Sequence, residues 1–414
     1  MTVQPGGFLA GKRIIVAGGG FASLAFVLAL EQLWQSSTLG HPEVLLYEQD
    51  GRDESIQREP YTLCINGADQ NDGLVAIQQL GLLDEVRKHS TLNGGDIRVW
   101  SDNWKWLSSI NPTTHGDLPA ATMRITRQDL KRILVEKAKH TRTIFSWGAT
   151  CTSAERLSNG RIRVSITEAG DEKTSTQYCD LLIAGDGANS RIRASFRPHD
   201  MTTQYAGATQ IGGISYIPEG LPKPIDQDYG LQMSSGAGVC CIYSPFDDKT
   251  IAWALSTVGP ERDAKTRFTA EEFIVLKQEV LKTASMLKEP FGTVINNTIP
   301  KTAFIRPAKE KPAFAHDASL YGVMFIGDAN HILSPFEFVG ANLALKDGWD
   351  LAEQICHSNS LDAAMASFDR LSIPRFQHKF DFSHERINFG HSTGKKWIFY
   401  KYGMAAQRVL NKVH

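Results

Sequence analysis

The feature that most constrains the fold is a glycine-rich turn between an apolar strand and a helix near the start of the chain. Residues 13–17 (Arg-Ile-Ile-Val-Ala) form a short apolar run typical of a buried strand, and Gly18-Gly19-Gly20-Phe21-Ala22-Ser23 follows it. We expect a helix over residues 24–33 and a second buried strand over residues 44–47. Together these segments make a βαβ unit, which predicts an α/β domain with a parallel sheet.

The glycine turn is suited to holding a pyrophosphate group. Its backbone N–H groups can approach an anion closely at the N-terminus of the helix, where the helix dipole favours negative charge. Glu48 ends the second strand, where a carboxylate can accept hydrogen bonds from a ribose. Ser23 stands where a third glycine is usual, and its small side chain is compatible with close packing. The combination predicts an adenine dinucleotide site, and an ordinary turn is the alternative.

Composition excludes several other classes of protein. The chain has 414 residues, of which 42% are apolar and 21% charged, as in an ordinary globular protein of two or three domains. A net charge of -1 argues against a nucleic-acid partner. Six cysteines without CxxC spacing indicate reduced thiols and no metal site. We find no signal peptide and no apolar stretch long enough to span a bilayer, so we expect a cytoplasmic protein.

Two later segments share one design, a buried strand followed by Gly-Asp. Residues 181–184 run into Gly185-Asp186, and residues 323–326 run into Gly327-Asp328. Ligands of open α/β sheets bind at the carboxyl ends of the strands, so we expect both carboxylates at the binding edge. Capping of a strand end is the alternative role for Asp186.

The middle of the chain has a different pattern. Apolar residues at 251, 253 and 255 alternate with small ones, as in a half-buried antiparallel strand, and residues 211–216 and 239–243 look similar. We therefore expect a second, sheet-rich domain inserted into the first between about residues 197 and 316. From about residue 362 the pattern is helical again.

Three motifs, in this order, resemble the single-component FAD-dependent aromatic hydroxylases, the family of p-hydroxybenzoate hydroxylase and the tetracycline-inactivating monooxygenases. The first is the glycine turn with Glu48. The second, over residues 180–193 (Asp-Leu-Leu-Ile-Ala-Gly-Asp-Gly-Ala-Asn-Ser-Arg-Ile-Arg), is similar to the family's Asp-Gly motif. The third comprises Gly327-Asp328-Ala-Asn-His331, Pro335, Gly340, Asn342 and Asp347. Arg127 lies in a segment that resembles the family's Arg-x-Asp-Leu sequence.

The resemblance implies a Rossmann-like FAD-binding domain of the glutathione-reductase type, an inserted and mainly antiparallel substrate domain, and C-terminal helices. The FAD-binding domain would comprise residues 1–83, 120–196 and 317–372, the substrate domain residues 84–119 and 197–316, and the helical segment residues 373–414. The sequence predicts no oligomeric state.

The function that the resemblance implies is that of an FAD-dependent monooxygenase in secondary metabolism. FAD would bind non-covalently, NADPH or NADH would serve as a transient reductant, and dioxygen would be the second substrate. The reaction would insert one oxygen atom, by hydroxylation or epoxidation, into an aromatic or polycyclic small metabolite. The alternatives are another flavoenzyme of the same fold (an oxidase, reductase or halogenase) and a non-catalytic flavin-binding protein.

The predicted cofactor contacts are Gly18, Gly20, Phe21, Ala22, Glu48, Arg58, Arg127, Asp186, Asp328, Pro335, Gly340, Ala341 and Asn342. The resemblance implies that Asp328 holds the ribityl chain and that the helix beginning near Gly340 directs N–H groups at the flavin ring. A solvated arginine is the alternative for Arg58. No catalytic residue is predicted, and Pro335 and Phe338 are candidates for a loop beside flavin and substrate.

Some positions leave two interpretations open. Phe338 replaces the first glycine of the family's Pro-x-x-Gly-x-Gly-x-Asn pattern, where glycine usually permits a positive φ or a close ligand approach. It is either a wall of the substrate cavity or a core residue. Arg193 is a surface residue, a partner in a structural salt bridge or a cofactor contact, and His331 is expected to be structural rather than a general base. The aromatic cluster at 397–402 is expected to pack on the protein body rather than to touch a membrane surface.

Overall fold

The structure is a computed structural model that describes residues 6–34, 39–57, 61–90, 97–110, 112–170, 173–226 and 229–410. Its strands are β1 (Arg13–Ala17), β2 (Glu43–Glu48), β3 (Thr62–Asn66), β4 (Ile97–Trp100), β5 (Trp106–Ile110), β6 (Thr122–Thr126), β7 (Ile144–Trp147), β8 (Ala149–Arg156), β9 (Ile162–Glu168), β10 (Thr174–Cys179), β11 (Leu181–Ala184), β12 (Gln204–Tyr216), β13 (Tyr229–Met233), β14 (Val239–Pro245), β15 (Thr250–Val258), β16 (Phe304–Glu310) and β17 (Val323–Phe325).

Its α-helices are α1 (Phe21–Trp34), α2 (Arg52–Gln57), α3 (Gly73–Gln79), α4 (Leu83–Lys88), α5 (Arg127–Ala138), α6 (Arg191–Phe196), α7 (Ala270–Thr283), α8 (Phe291–Asn296), α9 (Gly340–His357), α10 (Leu361–Gly390) and α11 (Gly394–Leu410). Short 3₁₀ helices at Gly327–Ala329 and Pro335–Glu337 lie in the third motif.

The predicted parallel sheet is confirmed. Five strands run in the order β17-β11-β1-β2-β7, and every neighbouring pair is parallel. The apolar runs at 13–17 and 181–184 form β1 and β11 with the predicted bounds, because strands covered on both faces are apolar at consecutive positions. Since β1, β11 and β17 are parallel neighbours, the segments that follow them meet at the edge of the sheet formed by the carboxyl ends of the strands.

Helices α1 and α9 cross at unusually close range. A Cβ atom on Gly348 would lie 2.7 Å from the Cβ of Ala25, so α9 can approach α1 this closely only with glycine at that position. Gly327 fits the same junction, since a Cβ there would lie 3.1 Å from the Cβ of Ala22. The contact places the start of α9 beside the strand edge where the glycine turn lies.

The middle of the chain forms a seven-stranded sheet in the order β16-β12-β15-β14-β13-β4-β5, antiparallel except for the β13–β4 pair. One face, which includes Tyr243, Trp253 and Leu255, is buried against α7 and α8. These two helices were not predicted in the sheet-rich segment. The strands β4 and β5 join this sheet from the predicted 84–119 segment, whereas Val86 of α4 packs in the core of the parallel-sheet domain. The domain boundaries stay a prediction.

Two smaller sheets were not predicted from the sequence. Strands β8, β9 and β10 form an antiparallel sheet, and β3 pairs with β6 as a two-stranded ribbon. In β9, Ile162, Val164 and Ile166 alternate with polar residues, so a signal for a half-buried strand was present. The ribbon lies between the two large sheets: Thr62 bonds to Ser244 of β14 (Oγ1–Oγ 3.0 Å).

The C-terminal part is helical, as predicted. The aromatic cluster divides between two environments: Trp397 is buried, but Phe399 is 75% exposed and Tyr402 is 72% exposed. The expectation that the cluster packs on the protein body therefore describes only part of it. Among the described helices, none is long and apolar enough to cross a bilayer.

Candidate active site

The glycine turn closes against the neighbouring strand. Gly18 has a φ of 85°, and a Cβ atom there would lie 2.6 Å from the carbonyl oxygen of Gly185. Its N–H donates to the carbonyl of Tyr47 at 2.8 Å. Only glycine fits this position, because a side chain would be both strained and in collision. Gly20 immediately precedes α1, which begins at Phe21, as the dinucleotide-site prediction requires.

Two charged side chains hold this turn. Glu48, 7% exposed, accepts hydrogen bonds from the N–H groups of Gly19 (2.7 Å) and Asp50 (3.0 Å). Lys131, 1% exposed, donates to the carbonyl oxygen of Gly19. Lys131 was not predicted. Its position beside the buried face of an amphipathic helix was the signal that could have identified it. Each carboxylate oxygen of Glu48 can accept a further hydrogen bond, so a ribose can still bind there. The ribose contact stays a prediction.

Two carboxylates at the same edge have unused acceptor capacity. Asp186 accepts from the N–H of Ile192 (3.1 Å), but its other oxygen is buried without a hydrogen-bond partner among the described residues. The Asp328 side chain is open to solvent, and the described part of the chain gives it no hydrogen bond. Burial raises the pKa of both carboxyl groups. Asp328 is thus exposed although its neighbours Gly327 and Ala329 are buried, and a ligand can reach its carboxylate.

The loop that carries Asp328 is held by a buried ion network. Asp347 of α9 accepts hydrogen bonds from the N–H of Gly327 (2.9 Å) and from His331 Nε2 (2.8 Å), and it pairs with Arg375 of α10 (2.9 Å). Burial alone would raise the pKa of Asp347, but His331 and Arg375 lower it to about 2. His331 is therefore a positioning residue in this structure, in line with the structural role expected for it.

Phe338 keeps the backbone conformation of the glycine it replaces. It follows the Pro335–Glu337 turn with φ 57° and ψ 26°, in the left-handed region. A non-glycine residue there is strained by about 1–2 kcal/mol. The side chain is half-buried and belongs to none of the apolar clusters of the described residues. These observations favour the cavity-wall interpretation over the core interpretation.

The side chain of Asn342 is committed to the protein. Its Oδ1 accepts from the N–H groups of Asn66 (2.7 Å) and Gly73 (3.2 Å), and its Nδ2 donates to the carbonyl of Cys64 (2.8 Å). The amide ties α9 to the β3 ribbon, so any cofactor contact of Asn342 would come from its backbone.

The N-terminus of α9 is open. Space within 4 Å of a Cβ at Gly340 is empty, and the residue before the helix, Val339, provides no side-chain cap. The first N–H groups of a helix have no intrahelical partner, so those at Gly340 and Ala341 are free to face a ligand.

The predicted arginines have different roles. Arg127 lies beside the start of α1, with its guanidinium 5.7 Å from the centre of the Phe21 ring. The side chain of Thr126 accepts a hydrogen bond from the N–H of Asp129, which caps α5 and places Arg127 first in the helix. Arg58 lies outside the described residues.

Arg193 is buried in a structural position. It is 2% exposed, donates to the carbonyls of Ala329 (3.1 Å) and Asn330 (2.5 Å), and pairs with Asp200 at 2.6 Å. The structure thus favours the salt-bridge interpretation, with Arg193 bracing the loop after β17.

His391 was assigned no role from the sequence. Its Nδ1 lies 2.7 Å from the carbonyl oxygen of Ile387, which can only accept, so Nδ1 carries a proton and Nε2 accepts from Ser256 Oγ at 2.8 Å. Its ring packs edge-on against Phe336, with centroids 5.8 Å apart. Burial lowers the pKa of His391. The residue joins α10, the seven-stranded sheet and the Pro335–Glu337 turn, and the separation of its partners along the chain left no local signal.

Taken together, the glycine cradle, the unpartnered oxygen of Asp186, the exposed carboxylate of Asp328 and the open start of α9 fit a dinucleotide that carries hydroxyl groups. Comparison with known proteins agrees. Residues 70–375 match the family model described as FAD binding domain. A monooxygenase of Aspergillus candidus, cfoF, is 38% identical over 392 residues, 93% of each chain. The chain therefore belongs to this family of FAD-binding proteins and is an FAD-dependent monooxygenase.

Two solved structures share the fold. HpxO of Klebsiella pneumoniae, complexed with FAD and uric acid, superposes with a TM-score of 0.76 at 16% sequence identity, over 98% of this chain and 96% of HpxO. Tetracycline destructase Tet(55) superposes with a TM-score of 0.66 at 15% identity, over 97% of this chain and 96% of the destructase. The predicted Rossmann-like fold with an inserted antiparallel sheet is confirmed.

We predict that Asp328→Ala weakens FAD binding without weakening the fold. Charge-assisted hydrogen bonds to the ligand are worth about 1.5–3 kcal/mol each, so affinity should fall roughly tenfold or more. Because an unpartnered carboxylate is removed, thermal stability of the apoprotein should be unchanged or higher. Fluorescence titration of apoprotein with FAD measures the affinity. Asp263→Ala, at an exposed acid, is the matched control, and equal affinities in the two variants would contradict the assignment.

A second prediction concerns pH. The pKa of His391 is lowered in the fold, so below its ordinary value of about 6.5 the unfolded chain binds more protons than the native protein. The stabilisation contributed by neutral His391 is therefore present above that pH and is lost as the pH falls below it. In His391→Gln, melting temperature should depend less on pH from about 7 downward. His378→Gln, at an exposed histidine of α10, should follow the wild type; an unchanged slope in His391→Gln would refute the prediction.

Proposed function

We propose that this enzyme inserts one atom of dioxygen into an aromatic or polycyclic small metabolite, with NADPH or NADH as the transient reductant. The observation that carries the proposal is the convergence of Gly18, Asp328 and the start of α9 at one sheet edge, with the ribbon and the seven-stranded sheet adjacent. A flat, mostly apolar substrate suits a site bordered by these elements.

The proposed substrate surface is the face of the seven-stranded sheet that turns away from α7 and α8. Ile242, Ala252 and Ala254 of this face are half-buried, whereas the opposite face is fully covered. Small side chains leave room above the sheet, and their apolar character favours burial of hydrophobic surface. At one border of the face, Arg124 lies over the ring of Tyr229, 4.8 Å from its centre. A partly exposed, apolar sheet face of this kind supports an aromatic substrate.

When bound, FAD would carry reducing equivalents from NADPH or NADH and supply the activation of oxygen. The chain would supply position and environment. Asp328 would accept hydrogen bonds from ligand hydroxyls, and the N–H groups at the start of α9 would stabilise negative charge that develops near them. The ribbon and the sheet face would orient the substrate and exclude water.

The cysteines support non-covalent binding of FAD. All six are free, and burial raises the pKa of Cys64 to about 11 and that of Cys240 to about 12. Covalent attachment through sulfur requires a thiolate, which these pKa values suppress. Free thiols also support the proposed location in the cytoplasm, a reducing compartment.

The relatives support the proposed substrate class. HpxO is described in complex with uric acid, a heteroaromatic compound, and the tetracycline destructases are named for a polycyclic one. Both share this fold with a parallel sheet and an inserted antiparallel sheet.

Product analysis with isotopically labelled dioxygen tests the proposal. With a candidate aromatic metabolite, NADPH and FAD-loaded enzyme, we expect one labelled oxygen atom in the product and NADPH consumption that depends on substrate. Consumption of NADPH with peroxide release and no labelled product would indicate an oxidase or reductase. Product that carries halide in place of oxygen would indicate a halogenase.

We predict that Phe338→Gly retains FAD and fold but alters substrate handling. Because φ is 57°, glycine relieves backbone strain, and stability should stay equal or rise by about 1 kcal/mol. Loss of an aromatic cavity wall should weaken substrate affinity or lower the ratio of product formed to NADPH consumed.

The matched control is Phe336→Ala, two residues earlier. Phe336 is buried with Ala208, Ala308 and Ile387, so its truncation should cost about 3–5 kcal/mol of stability. Thermal unfolding and coupling ratios are measured for both variants. Large destabilisation of Phe338→Gly with normal coupling would show that Phe338 is a core residue.

A further inference from the structure

The last helix, α11, has one side packed on the protein. Trp397 and Met404 are 8% and 6% exposed, and they pack with Val99, Leu107 and Met233 at the edge of the seven-stranded sheet. These contacts fix the orientation of the helix, so its opposite side must face outward.

The outward side carries large apolar residues. Phe399 is 75% exposed, Tyr402 is 72% exposed and Ile398 is 52% exposed. Their spacing of three and four positions places them together on one helix face. A contiguous apolar patch on a surface marks an interaction site more often than scattered exposed residues do. We call this set, Ile398, Phe399 and Tyr402, the outer patch.

Positive charge surrounds the outer patch. Lys395, Lys396 and Lys401 are all exposed. At the level of sequence, Glu385 is the last acidic residue of the chain, and six lysine and arginine residues follow it. The whole chain has a net charge of -1, so positive charge is concentrated in this terminal segment.

We propose that α11 docks the enzyme on the surface of an anionic phospholipid membrane, with the outer patch in the headgroup region and the lysines on lipid phosphates and carboxylates. An amphipathic helix that combines Lys residues with aromatic and aliphatic ones has the composition of interfacial membrane anchors. Lysine stems can lie along the apolar surface while their ammonium groups reach the headgroups. The helix lies on the membrane and does not cross it.

Charge favours this partner over a second copy of the chain. A two-fold symmetric contact through the outer patch would place the same surface against itself. The lysines of one copy would then face those of the other, and the segment after Glu385 offers no acid to balance them. An anionic lipid surface supplies the missing charge.

Co-sedimentation with vesicles tests the proposal on the full-length, FAD-loaded protein. We expect binding to phosphatidylcholine vesicles that contain phosphatidylserine, weak binding to pure phosphatidylcholine, and loss of binding at high salt. Phe399→Ser/Tyr402→Ser should reduce binding about tenfold or more, and Lys395→Gln/Lys396→Gln/Lys401→Gln should do the same. Bound flavin and melting temperature, measured on each variant, show that the protein is folded.

The matched control is Ile274→Ser/Val275→Ser on α7, where the two side chains are 51% and 64% exposed without a lysine-flanked aromatic patch. It should bind vesicles as the wild type does. The proposal is overturned if wild type does not bind anionic vesicles, if the α11 variants bind like the control, or if size-exclusion chromatography shows a dimer that the Phe399→Ser/Tyr402→Ser variant dissociates.

Discussion

The candidate site depends on one buried carboxylate. Asp347 joins three parts of the chain, because it binds the N–H of Gly327 at the end of β17, His331 in the following loop, and Arg375 of α10. Its pKa of about 2 keeps it ionised at physiological pH. Removal of one member of a buried ion pair typically costs about 3–5 kcal/mol, so the network fixes the loop firmly. Asp328 follows Gly327 directly, and its position is therefore set by this network.

Close packing sets the other side of the site. Gly348 lets α9 approach α1 at a distance that an added Cβ would prevent, and a Cβ on Gly327 would lie only 3.1 Å from the Cβ of Ala22. The helix that follows the glycine turn and the helix proposed to face the flavin are thus held in one rigid arrangement. The Asp347 network fixes the loop after β17, and close packing fixes α9 against α1. Both are needed to place the N-termini of α1 and α9.

The sequence predicted what is local and left out what depends on distant contacts. Apolar runs bounded by glycine were sufficient for β1 and β11. The contact of His391 with Ser256 joins residues 135 positions apart, and no spacing rule reveals it. Glu48 was placed at the correct strand end, but its bonds to backbone N–H groups follow from the turn geometry and not from the strand pattern.

The residues that weaken the fold are concentrated at the proposed flavin site. Asp186 and Asp328 hold acceptor capacity that the described chain does not use, Phe338 is strained, and the start of α9 lacks a cap. Each of these features lowers the stability of the fold. A chain retains them where ligand binding offsets the loss, because residues chosen for stability alone would not include them. The outer patch of α11 is a cost of the same kind, because exposed aromatic surface gains nothing in water. Its distance along the chain from the motifs and its surrounding lysines indicate a different partner, and the two surfaces therefore serve separate interactions.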